Sequence, residues 1–164
     1  MPELDKMLEL LSEDELRAVI AESCKDDAVR DIVTEFVRRK LEFTPDDVRT
    51  ETAILISNAD DYIYLEKSMF DTAIKELFPE NKALAILAET IYDGFYDRAE
   101  MMVGMGMLSE ARLFIRSVAE AIRYYAGESS TSLLSLCGDS AERYADNLES
   151  FLNSDDPLGG FHKR

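Results

Sequence analysis

The stretch "NKALAILAETIYDGFYDRAEMMVGMGMLSEARLFIRSVAEAIRYYAG", residues 81–127, decides the fold. At about 100° of rotation per residue, Leu84, Ala88, Ile91, Phe95, Ala99 and Met102 fall in one narrow sector, and Glu89, Asp93, Asp97 and Glu100 fall near the opposite side. The pattern stops at Gly104 and Gly106. It resumes from Leu108 or Ser109 with Ala111, Phe114, Ile115, Val118, Ala121, Ile122 and Tyr125, and ends at Gly127, a natural left-handed C-cap. Two amphipathic helices joined by a glycine corner are therefore expected. Met102 belongs to the apolar sector. Met105 and Met107 flank the turn glycine, where unbranched side chains fill an irregular gap; the other reading is a deformable partner-binding patch.

Moving toward the N-terminus, Phe78 and Pro79 end the preceding element, because proline disfavours helical geometry in the residue before it. That element starts at "FTPDD", with Thr44 as N-cap, Pro45 in the first turn, and Asp46 and Asp47 matched to the helix dipole. Its apolar positions run Val48, Thr52, Leu55, Ala59, Tyr62 and Ile63, and continue through Phe70, Ala73, Ile74 and Leu77. Ser68 with Asp71 is a second start signal, so 45–78 reads as one helix or two. Further upstream, Glu3–Leu11 is helical, Ser12 and Glu15 form a capping box for a helix carrying Leu16, Val19, Ile20 and Cys24, and Asp26 or Asp27 caps a third. The third helix carries Val29, Ile32, Val33, Phe36, Val37 and Leu41 as its apolar side.

Beyond Gly127, "ESSTS" reads as a linker. A last helix then uses Leu133, Leu134, Cys137, Ala141, Tyr144, Ala145, Leu148, Phe151 and Leu152, with Gly138 as a mild internal weakness. The chain of 164 residues is expected to be all-α, with six to eight antiparallel helices as a helical bundle or short solenoid. One helical domain over 1–152 is expected, with 1–43 as an N-terminal helical subregion and 153–164 as a flexible tail.

Charge narrows the partners. With 34 acidic against 18 basic side chains the chain carries −16, a field that repels phosphate backbones and anionic headgroups, so neither nucleic acid nor membrane is the expected partner. The opening "MPELDKMLEL" has no secretory pattern, and a cytoplasmic protein is expected. Cys24 and Cys137 lie far apart without metal-binding spacing and read as reduced, buried thiols.

Residues 95–126 resemble one tetratricopeptide hairpin. Phe95, Ala99 and Met102 precede a turn glycine, Gly106, and Ala111, Ile115 and Val118 follow it at matching offsets, while the closing proline of that motif is absent. The resemblance implies a concave surface for peptides or partner proteins.

Arg98 lies at the margin of one apolar face and Arg112, Arg116 and Arg123 form a stripe on the next helix. With Met105 and Met107 they are the candidates for partner or anion binding. The rival chemistry is carboxylate: Asp93, Asp97 and Glu100 on one helix with Asp139 and Glu142 on another have spacings that suit Mg or Mn in a divalent-metal-dependent hydrolase. No nucleophile elbow, Walker loop or dinucleotide fingerprint accompanies them. The expectation is a protein-interaction adaptor or scaffold without a cofactor and without catalytic residues, a homo-oligomer being compatible with it.

Overall fold

A computed structural model describes residues 2–68, 80–128 and 133–161 of the protein. Its helices are α1 (Pro2–Leu8), α2 (Glu13–Ser23), α3 (Asp27–Lys40), α4 (Pro45–Ser68), α5 (Glu80–Gly104), α6 (Leu108–Glu128), α7 (Leu133–Cys137) and α8 (Asp139–Ser150). There is no strand among the described residues, and the fold is an all-α bundle. The chain divides into two compact units, 1–42 and 43–164.

In the larger unit α6 is the central helix and packs against α4, α5 and α8. It buries Ala111, Phe114, Ile115, Ser117, Val118, Ala119, Ala121 and Ile122, more than half of its circumference. Phe114 organises one end of this core. Its ring meets Phe43 at 5.1 Å and Phe95 at 5.5 Å, both edge-on, the arrangement that opposes the negative face of one ring to the positive rim of another.

The buried seam of α5 is Ala83, Leu87, Ile91, Phe95, Ala99 and Met102. The first two differ from the expected Leu84 and Ala88, which are only half-buried. Five of the six stand four residues apart, so the seam follows the i, i+4 ridge, which winds slowly round the helix. A sector drawn at constant rotation drifts off that ridge after two turns.

The corner between α5 and α6 is a Schellman cap. The Gly106 N–H donates to Val103 O at 3.0 Å and the Met107 N–H to Met102 O at 2.9 Å, with Gly106 at φ 74°, a conformation that favours glycine. Gly138, at φ 55°, does more than weaken the last helix: it separates α7 from α8.

The segment after α8 is packed, against the expectation of a flexible tail over its described part, 153–161. Leu152, Pro157, Gly160 and Phe161 are buried, and the Phe161 ring stands edge-on to Tyr96 of α5 at 5.8 Å. The Asn147 Nδ2 group donates to Gly160 O at 3.5 Å. The signal was present in the sequence: two glycines followed by an aromatic residue allow backbone to approach a helix closely and then anchor there. The question of a helix break near Ser68 lies outside the described residues.

The smaller unit, 1–42, is built by caps. Ser12 and Glu15 form the reciprocal box at the start of α2, with Ser12 N–H to Glu15 Oε2 at 2.8 Å and Glu15 N–H to Ser12 Oγ at 3.3 Å. Asp26 accepts from the N–H groups of Ala28 and Val29 at 2.9 and 3.3 Å and starts α3. Its interior is thin. No residue of α2 or α3 is buried, and Leu41 is the one buried residue among those described in this unit.

Candidate functional site

The four arginines singled out by the sequence have separate fates. Arg98 makes a two-pronged ion pair with Glu51 of α4, Nη1 to Oε2 at 2.7 Å and Nη2 to Oε1 at 3.2 Å, and its guanidinium lies 5.0 Å from the centre of the Phe114 ring. Arg123 places one Nη2 against Asp146 at 2.6 Å and Glu149 at 3.0 Å, both on α8. The hydrogen bond to Glu149 is the main cause raising its pKa above the ordinary guanidinium value, with Asp146 adding to it against the opposing effect of burial. These two cations tie α5 to α4 and α6 to α8.

Arg112 and Arg116 have no carboxylate partner among the described residues. Arg112 is half-buried, with its Nε enclosed and without an acceptor among the described residues, and Arg116 is exposed. Met105 and Met107 are half-buried beside the corner, where their N–H groups bond Met101 O and Met102 O at 3.0 and 2.9 Å. The structure therefore separates the four: Arg98 and Arg123 are internal ties, while Arg112 and Arg116 stand without a carboxylate partner among the described residues.

The carboxylates Asp93, Asp97, Glu100, Asp139 and Glu142 all stand exposed. Glu100 accepts from the Tyr96 hydroxyl at 3.3 Å, which, after burial, helps to raise the pKa of that phenol. Among the described residues no group of three or more His, Cys, Asp or Glu side chains is placed to hold a metal ion.

Two other acidic groups hold helices together where α4, α5, α7 and α8 converge. Asp60 of α4 accepts from the Leu133 N–H at the start of α7, and the Ser140 hydroxyl of α8 donates to Glu80 of α5. Cys137 is fully buried beside them, and burial, with the charges of Glu80 and Asp60 adding to it, pushes its thiol up to about 12. Such a thiol is protonated and inert at neutral pH. Burial is also the main cause that raises the pKa of Asp60, helped by Asp61 and opposed by the Leu133 hydrogen bond.

A carboxyl whose pKa is raised on folding holds its proton more readily in the folded state. It therefore penalises folding above the folded pKa, and the penalty is relieved as pH falls toward the ordinary value of 3.8. Asp60→Asn keeps an acceptor for Leu133 and removes the charge. Its melting temperature at pH 7 should exceed that of the wild type, with the difference closing on acidification; a lower melting temperature at pH 7 would show that the ionised hydrogen bond outweighs burial.

The surface that sequence reasoning missed is in α1–α3. Of thirteen large apolar side chains exposed among the described residues, eight lie in 1–42, about a quarter of the chain. They include Leu10 at 84%, Ile32 at 69%, Met7 at 62% and Phe36 at 62% exposure. On α3 the apolar arc has two flanks: Val29, Val33 and Val37 are half-buried, while Ile32 and Phe36, one turn apart, face outward. The clue was the width of that arc. Six apolar residues over half a helix are more than a unit of three short helices can cover, and single exposed apolar residues are ordinary whereas a cluster is not.

Comparison with protein families, with curated proteins and with solved structures returned no match for this chain.

Proposed function

We propose that this protein works by association: it is a helical interaction module in which the core-bearing unit 43–164 serves as scaffold and the apolar faces of α1–α3 receive a protein partner. The observation that carries this reading is the concentration of exposed Leu, Ile, Met and Phe side chains in 1–42, because apolar clusters of this kind mark interaction surfaces in soluble proteins. Arg112 and Arg116, without a carboxylate partner among the described residues and beside exposed Leu108 and Leu113, give a second and smaller surface suited to acidic side chains. The tetratricopeptide likeness of 95–126 supports the hairpin of α5 and α6 as a scaffold element.

No helix among the described residues is long and apolar enough to cross a membrane. We place the module in the cytoplasm, where two unbridged thiols are the ordinary state. The reading is tested by affinity purification of the full chain from its native host beside Ile32→Glu/Phe36→Glu. A partner held by the wild type and lost by the variant, and then bound again as a purified component, supports it. Identical sets of co-purifying proteins would refute it.

A further inference from the structure

After α8 the chain turns back and lies on its own helices as a bound peptide would. We propose that α8, with Tyr96 of α5, forms a docking groove for a short segment of two adjacent glycines followed by an aromatic ring. Residues 157–161 close this groove from within, and a protein partner bearing the same pattern takes their place. The groove lies in the larger unit and does not depend on the reading of α1–α3.

Both glycines are demanded by the surface beneath them. Gly159 and Gly160 have no positive φ, so neither serves a left-handed turn; the other use of glycine is close approach of backbone. A methyl group on Gly160 would stand 2.6 Å from Leu148 Cα and 2.8 Å from Asn147 O, and one on Gly159 would stand 2.6 Å from the Phe151 ring. Phe161 follows as the anchor, buried and edge-on to Tyr96 at 5.8 Å. Two positions that admit no side chain, and then one filled by a ring, give the groove a specificity that simple apolar cover would not need.

The segment also carries its own turn with it. The Gly159 N–H donates to Asp156 O at 3.2 Å, the Phe161 N–H to Leu158 O at 3.0 Å, and the Leu158 N–H to the Asp156 carboxylate at 3.2 Å. All of these close within 156–161 and survive when the segment lifts. What holds it to α8 and α5 is chiefly apolar contact, with the Asn147 Nδ2 group reaching Gly160 O at 3.5 Å, the outer limit of a hydrogen bond. Asn153, Asp155 and Asp156, in the connection that would act as hinge, are exposed. A turn already ordered in both states costs little to exchange. A second copy is disfavoured as the occupant because it brings another −16 of charge, which keeps like chains apart.

The probe is a fluorophore-labelled, C-terminally amidated peptide of residues 153–161, and its anisotropy is read against the full chain. In the wild type the tethered segment competes at an effective concentration of about 1 mM. A groove with an intrinsic dissociation constant of about 10 μM is then closed about 99% of the time and binds the probe about 100-fold more weakly. The full chain carrying Gly160→Ala/Phe161→Ala releases the segment and leaves the groove intact, so it is expected to bind the probe about 100-fold more tightly than the wild type. A probe that itself carries Gly160→Ala should lose at least about tenfold on this variant, because the methyl group meets backbone.

Far-UV circular dichroism checks that the variant keeps its helices. Hydrogen exchange of the wild type decides the matter if it does not. About 1 mM of probe, distinguished from the chain by its mass, should speed exchange over 157–161 about 50-fold by displacing the segment, and the Gly160→Ala probe should not. Equal binding of the probe by wild type and folded variant, equal binding of the two probes, or exchange indifferent to the probe would overturn the proposal. A wild-type mass that doubles with concentration, and no longer does so in Gly160→Ala/Phe161→Ala, would overturn the partner assignment and give the groove to a second copy.

Discussion

Phe114→Ala lowers the unfolding free energy of the larger unit by about 3–5 kcal/mol, read as a shifted midpoint in urea denaturation. Phe114 has no exposed surface and stands on the central helix. Removing its ring deletes two edge-on aromatic contacts, with Phe43 and Phe95, and opens a cavity that flanking helices cannot close without moving. It also strips the aromatic face from beneath Arg98, so the Arg98–Glu51 pair is left to hold α5 and α4 with less support. A loss within about 0.5 kcal/mol, the level of an ordinary surface change, would show that the core is organised elsewhere.

Gly160→Ala is the second large effect, and it acts through backbone. A methyl group at this position would stand 2.6 Å from Leu148 Cα and 2.8 Å from Asn147 O, neither of which can swing aside. The chain after α8 must lift, at a cost of about 1–3 kcal/mol for an overpacked site, or detach. Detachment uncovers Leu148, Leu152 and Phe161 together. Hydrogen exchange over 151–161 should accelerate and melting should come earlier. Gly104→Ala is the control, since a methyl there meets nothing within 4 Å and lies in a helix, where alanine is the better former. Equal behaviour of the two variants would mean that the close approach of Gly160 to α8 contributes nothing.

Helix starts were legible because they are local chemistry. Ser12 with Glu15, Asp26, and Thr44 with Asp47 each satisfy N–H groups within four residues, so spacing alone identifies them. In the Thr44 box the side-chain bond is also the main cause that holds Asp47 below the usual carboxylate range. The glycine corner at 104–106 was legible for the same reason. Tertiary choices were not. Whether Leu84 or Leu87 enters the seam depends on the crossing of α5 with its neighbours, and whether Arg98 is free depends on Glu51, 47 residues away. The outward turn of Ile32 and Phe36 was hidden because a periodic apolar pattern says which residues share a side, not whether anything covers it. The Tyr144 hydroxyl, enclosed without a partner among the described residues, belongs to the same class: burial pushes its pKa well up, and nothing local announces it.

The contrast between the two thiols has a practical outcome. Cys137 is sealed in the core and protonated far above neutral pH, while Cys24, at the end of α2, is half-exposed. A maleimide dye or nitroxide added to the folded wild-type chain is directed to Cys24, with no need for engineered labelling positions. That one reporter sits on the small helical unit, where fluorescence transfer or dipolar spectroscopy between labelled molecules measures how that unit moves and what it meets.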